Sequence, residues 1–275
     1  MAQEKWLIQP GESRTIDIEV VRSLKIGLLG GQIDLIGHDE PTARVEVHSV
    51  TGRELKVTID GDKLEIDHPQ LRWDNFIEVF KSMRSSARVD VSVLVPRDVA
   101  LTFGVVSASA LVSGLVTDAR LSTVSGDLVI DELSGDIELN SVSGELSARG
   151  HTGRIAAHTV SGGVTAAGAI TRFTADGVSA DLLLDISGTP DEIQINTVTG
   201  DTTIRLPEAL GARYRANTVS GRVQLDNTLL VGSVGKGYTA TTGSLEGSWV
   251  DISVNSVSGN ISVLRSATRG AEELA

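Results

Sequence analysis

Apolar and polar residues alternate along much of this chain, which is the signature of half-buried β-strands. Thr15-Ile16-Asp17-Ile18-Glu19-Val20, Gln32-Ile33-Asp34-Leu35-Ile36 and Arg44-Val45-Glu46-Val47 all follow the period-two rule. Leu55–Ile59 and Lys63–Ile66 do the same on either side of Asp60-Gly61-Asp62. An Asp-Gly pair between alternating segments predicts a β-hairpin. The alternation stops after Pro69, where Phe76, Ile77, Val79, Phe80 and Met83 are spaced to form one apolar stripe on a helix. A short helix near 74–84 is therefore expected, with Asp74 as its N-cap. Val89–Val95 returns to strand and Pro96 closes it.

Beyond residue 104 a short unit takes over. Val124-Ser125-Gly126-Asp127-Leu128, Leu133-Ser134-Gly135-Asp136-Ile137 and Val142-Ser143-Gly144-Glu145-Leu146 stand nine residues apart, and Val160-Ser161-Gly162-Gly163-Val164 follows. The Val-Ser-Gly column runs through Val106, Val124, Val142, Val160 and Val178 in steps of 18 residues, then through Val198, Val219 and Val257. A fixed repeat means a structure that repeats. The pattern predicts an all-β protein: a single-stranded β-solenoid (β-helix) of about nine rungs of 18–21 residues, behind an N-terminal antiparallel β cap region containing the short helix. The expected division is 1–97 for the cap, 98–264 for the solenoid and 265–275 for a polar tail. Val124, Leu133, Val142 and Val160 are expected to point into the interior, with Gly allowing each bend and Ser forming a local hydrogen bond. Val254 to Leu264 is expected to make the last rung, with a worn copy near Thr242-Gly243-Ser244-Leu245 filling the gap before it.

Candidate chemistry is sparse. Two residues before each corner valine lies a polar column of Ser122, Asn140, His158, Asp176, Asn196, Asn217 and Asn255. Stacked amides bond to one another along such a column, and a line of ligands for a cation or a glycan is the sharper alternative. The acids Asp127, Asp136, Glu145, Asp181 and Asp201 follow corner glycines. They read as solvated turn residues that discourage rod stacking, because a glycosidase needs two carboxylates at a set separation in a cleft. The five histidines His38, His48, His68, His151 and His158 show no metal-ligand spacing and are assigned to the surface or to strand faces. No catalytic residue, metal or cofactor is indicated. Trp73, Phe76 and Phe80 with Arg84 would either plug the solenoid mouth or offer an amphipathic contact for a protein partner.

Composition narrows the classes. A formal charge of −12, with most of the acidic excess after residue 97, argues against sequence-independent nucleic-acid binding. Aromatics make up 3% of the chain, so the core must be built from Val, Leu, Ile and Ala. There is no cysteine, hence no disulfide. No apolar run has the length of a membrane span, and the first residues lack a secretory signal, so the chain as written reads as cytoplasmic, with cell-surface association left open.

The Val-Ser-Gly-Asp-Leu and Asn-Thr-Val-Ser-Gly units resemble a bacterial family of β-strand-repeat proteins catalogued as "putative adhesins", a domain of unknown function. The similarity takes in Ile33-Asp34-Leu35 leading to Glu40-Pro41, the Asp60-Gly61-Asp62 hairpin and Val95-Pro96. It implies a non-enzymatic scaffold or binding module with no catalytic residues to carry over. Some relatives are linked to cell-envelope stress or are fused to membrane segments. The partner would be a protein or a glycan, and the chain a monomer or a weak homo-oligomer through its solenoid ends. The alternatives are a carbohydrate-binding or carbohydrate-active β-helix protein and a structural protein that self-assembles through those ends.

Overall fold

The computed structural model describes residues 3–68, 87–226, 228–230 and 237–266. The predicted helix near 74–84, with Trp73, Phe76, Phe80 and Arg84, lies outside the described residues. Among the described residues every regular element is a β-strand, so the all-β expectation holds. The chain divides into two compact units, Met1–Arg149 and Gly150–Ala275.

In the first unit the repeat stacks as its spacing demands. Ile137–Ser141 lies parallel on Ala119–Thr123 with Leu139 opposite Leu121, 18 residues apart. Ala119–Thr123 in turn lies on Ala100–Ser113, with Leu121 opposite Phe103. The other side of each turn repeats this arrangement, with Ala148 opposite Ile130 and Ile130 opposite Val112. Corresponding positions therefore lie directly over one another, solenoid fashion. The long strand Ser23–His38 serves both sides: Leu24 pairs Leu101 on one, and Ile33 pairs Ala110 on the other. Leu24, Ile26, Phe103, Leu121 and Leu139 on one side and Ile33, Leu35, Val112, Ile130 and Leu128 on the other are all buried and form the apolar interior.

The front of this unit is antiparallel only in part: Ser23–His38, expected among the antiparallel strands, pairs parallel with Lys63–Asp67 and Arg88–Pro96 as well as with Ala100–Ser113. Leu55–Asp60 and Lys63–Asp67 form the hairpin, with Asp60 paired to Lys63 and Gly61 at φ +66°. Glu4–Ile8 adds to Leu55–Asp60, and Arg14–Ile18 adds to Ala43–Thr51.

The corners differ from the expected detail. The residue before each corner valine points inward and makes the local hydrogen bond. The Thr123 hydroxyl donates to the Gly126 carbonyl at 2.8 Å and accepts from the Gly126 N–H at 3.0 Å, and Ser141 does the same for Gly144. The corner serines bond instead to the turn beneath: Ser107 to the Leu29 carbonyl, Ser125 to Val106 and Ser143 to Val124, at 2.8–3.2 Å. Gly144 is needed for closeness rather than torsion, since a Cβ there would sit 2.2 Å from the Gly126 carbonyl oxygen.

The second unit also has two stacked sides, but its turns are not in chain order. On one side Leu182–Ile186 lies on Val164–Ser179, Thr202–Pro207 on Leu182–Ile186, and Ile261–Ser266 on Thr202–Pro207. Val223–Leu225 follows only after Ile261–Ser266. On the other side Trp249–Ser258 sits between Glu192–Thr199 and Gly211–Ser220. The segment expected as the last rung is thus inserted one turn before the end. The stack closes with antiparallel strands: Gly237–Thr242 on Gly211–Ser220, and Thr228–Leu230 on Val223–Leu225. Thr242 ends one of these strands and Gly243 follows it, so this stretch is not a worn rung. The final strand runs through Arg265 and Ser266, two residues past 264.

Two histidines assigned to surfaces or strand faces are buried, His68 and His151. The His68 Nδ1 accepts the Leu29 N–H at 3.4 Å. Burial pushes the His68 imidazole down from 6.5 to about 4. Between those values the unfolded chain binds a proton that the folded chain refuses, so stability falls as pH drops from 6.5 towards 4. Denaturant melts are expected to lose about 2 kcal/mol between pH 7 and pH 5 through this group. In His68→Gln that part of the decline should disappear, and an unchanged pH profile would show that His68 is not its source.

Candidate binding face of the second unit

One outer face of the second unit brings the predicted polar column together. Strand pairing sets Asp176 opposite Asn196, Asn196 opposite Asn255, and Asn255 opposite Asn217. The Asn196 amide donates to Asp176 Oδ1 at 2.9 Å, the Asn255 amide to Asn196 Oδ1 at 2.9 Å, and the Asn217 amide to Asn255 Oδ1 at 2.8 Å. His158 Nδ1 lies 3.5 Å from Asp176 Oδ2. The spatial order is therefore His158, Asp176, Asn196, Asn255, Asn217, with the last two exchanged relative to the sequence. Stacked strands lie about 4.8 Å apart, which suits an amide passing its donor to the next carbonyl. In the first unit Asn140 bonds to Glu138 of its own strand, at 3.2 Å, while lying opposite Ser122.

Beside this ladder runs a column of valines that faces outward, contrary to the expected inward facing of the corner valines. Val160, Val178, Val198, Val257 and Val219 are between 44 and 51% exposed. Strand parity is the reason. Thr159, Thr197, Ser256 and Thr218 point inward and are buried, so the next residue must point out. The inward hydroxyls of Thr159 and Thr197 donate to corner carbonyls two residues on, at 3.0 and 2.9 Å. The equivalent column in the first unit is covered instead: Val124 packs with Leu29, Ala87, Val106 and the partly buried Val142.

The far edge of the face is charged and internally paired. Arg172 meets Glu192 at 3.1 Å, and Arg213 and Arg215 converge on Asp251. Hydrogen bonding from Arg213 holds the Asp251 carboxyl below its usual range. The Arg213 guanidinium also lies 4.8 Å above the Trp249 ring.

The corner acids have a structural task that the sequence reading missed. Asp181 accepts the Asp201 N–H at 2.8 Å, Asp201 accepts the Asn260 N–H at 2.8 Å, and Asn260 accepts the Arg222 N–H at 3.0 Å. In the first unit Asp118 and Asp127 accept the N–H groups of Asp136 and Glu145. Among the corner acids, Asp127, Asp181 and Asp201 each cap a backbone donor of the next turn. The signal was the recurrence of an acid after successive corner glycines. Among the described residues no group of three His, Cys, Asp or Glu side chains is placed to hold a metal ion, and no described helix is long and apolar enough to cross a membrane.

Residues 21–264 match the family model described as Toastrack DUF4097. The match takes in the antiparallel front as well as the repeats, as the resemblance implied. Among solved structures, a putative adhesin from Parabacteroides distasonis is 12% identical, covering 94% of this chain and 99% of that one at a TM-score of 0.47. A putative adhesin from Bacteroides fragilis is 15% identical over 94% of this chain and 100% of that one, at 0.38. A putative lipid binding protein from Parabacteroides distasonis is 11% identical over 94% and 99%, at 0.34. Among curated proteins none matches the sequence. The chain belongs to the Toastrack DUF4097 family.

Proposed function

We propose that this protein is a non-enzymatic, adhesin-like binding module built on a β-solenoid scaffold, and that it takes a protein partner on the ladder face of the second unit. The observation that carries the reading is the line of five half-exposed valines. Contiguous apolar surface held on a rigid frame is what marks interaction sites. The neighbouring amides are already bonded to one another, so binding need not strip their water in order to bury the valines. These two columns hold no aromatic ring for a sugar to stack on, which favours a protein over a glycan. Asp127, Asp181 and Asp201, after corner glycines, cap backbone donors, a role that asks nothing of catalysis.

The test is retention of partners from a lysate of the source cells on immobilised chain, compared with Val178→Lys/Val198→Glu/Val257→Lys, in which neighbouring strands carry opposite charges. The variant is expected to melt as the wild type does and to lose a protein that the wild type retains. Identical retention would overturn the reading. Carbohydrate binding is the second reading, supported by a cavity of about 340 Å³ lined by Thr189, Pro190, Asp191, Gly247, Ser248 and Trp249. Glycan retention that survives the valine changes and is lost in Trp249→Ala would favour it.

A further inference from the structure

Among the described residues, the strand that closes one side of the second unit, Gly237–Thr242, has an open edge. It pairs antiparallel with Gly211–Ser220, setting Thr241 against Arg213, Ala240 against Tyr214 and Thr239 against Arg215. Among the described residues no strand lies on its other side. A sheet edge presents unpaired N–H and C=O groups to any extended chain, and edges that must stay free are protected by charge, proline or a bulge. The edge strands of the first unit follow that rule: Glu4–Ile8 carries Glu4 and Lys5, and Arg14–Ile18 carries Arg14 and Asp17. Gly237-Tyr238-Thr239-Ala240-Thr241-Thr242 carries neither charge nor proline, and is rich in residues that favour strands.

We infer that this edge is the dimerisation strand of the protein, and that its occupant is the same strand of a second copy, antiparallel about a two-fold axis through Ala240. Several observations favour a second copy. Pairing about Ala240 keeps both copies' outer faces on one side, because it joins residues of equal parity: Thr239 meets Thr241 of the second copy. Threonine pairs across antiparallel strands are favourable. Arg213 and Arg215 lie one strand further in, so the pairing brings no like charges directly opposite each other. A two-fold contact uses up the edge in both copies, so growth stops at two. The charged edges of the first unit make poor templates for the same uncharged strand, which argues against head-to-tail growth. This inference is independent of the ladder-face reading, since none of its residues lies in the valine or amide columns.

The experiment is sedimentation velocity on the full chain over a wide concentration series. The wild type is expected to pass from monomer to dimer. Thr239→Glu/Thr241→Glu places carboxylates beside the chain's own Arg215 and Arg213, which the fold tolerates, but sets Glu against Glu across the axis. Its dimer dissociation constant should rise about tenfold or more, equal to about 1.4 kcal/mol. Thr239→Glu/Thr241→Gln sets a carboxylate against an amide donor in this register, puts no like charge beside Arg213, and should dimerise more tightly than the Glu/Glu variant. In the wild type, amide exchange at 238–242 should slow as concentration rises, a readout that requires no substitution. A wild type that stays monomeric, a Glu/Glu variant that dimerises undiminished, or two variants that weaken equally would each overturn the assignment.

Discussion

Val124→Asp is expected to unfold the first unit, while Val198→Asp should leave the melting curve of the protein almost unchanged. The two valines occupy the same place in the repeat, two residues before the corner glycine. Val124 is 4% exposed and packs against Leu29, Ala87, Val106 and Val142, whereas Val198 is 44% exposed. A carboxylate at Val124 would lie among the aliphatic side chains of Leu29, Ala87, Val106 and Val142, at a cost of about 4 kcal/mol or more. That is a large share of the stability of an ordinary domain. At Val198 the same carboxylate would stand in water, and a change within about 0.5 kcal/mol is expected. Thermal melts followed by circular dichroism decide the matter. Equal destabilisation at both positions would mean that the column is buried throughout.

Arg265→Ala should cost the second unit on the order of 3 kcal/mol, because it breaks a largely buried ion pair from one side. Arg265 Nε donates to Asp226 Oδ1 at 2.8 Å, and each side chain is 16% exposed. Its other nitrogens donate to the carbonyls of Pro207 and Leu210, at 3.0 and 2.6 Å, and to the Tyr214 oxygen at 2.6 Å. Tyr214, itself buried, donates to Asp226 at 3.0 Å. Burial pushes its hydroxyl up to about 12, so the proton needed for that bond stays in place. Asp226 sits in a left-handed turn at φ +52°, which Asp and Asn tolerate better than most residues. Adding Asp226→Asn to Arg265→Ala should recover part of the loss, since no unpaired carboxylate then remains. If the double variant is no more stable than the single one, the pair is not what secures this end of the stack.

The repeat and its 18-residue step were legible because identical spacing forces identical height: Leu139 over Leu121, Ala148 over Ile130. The 55–67 hairpin was legible from alternation and from the Asp60-Gly61-Asp62 turn, but the parallel pairing of Ser23–His38 was not, because alternation marks a strand without giving its direction relative to its neighbours. The facing of the corner valines was not, because a hydrophobic residue beside a turn reads as interior unless strand parity is counted from a known inward neighbour such as Thr197. The amide column was placed correctly as a face, but its order was not. Asn255 stands between Asn196 and Asn217, and neighbourhood along a sequence carries no information about a strand that returns. Burial of His68 and His151, and the Arg265–Asp226–Tyr214 cluster, come from long-range packing that no local pattern encodes.

The returning strand also governs when this molecule can finish assembling. Trp249–Ser258 and Ile261–Ser266 occupy a slot that Gly211–Ser220 and Val223–Leu225 would otherwise close directly onto the turns before them. A nascent chain emerging from the ribosome cannot complete this half by zipping turn upon turn, and must hold the gap open or reopen it until residues 249–266 arrive. Completion of the second unit therefore waits for a segment made after the strands it separates.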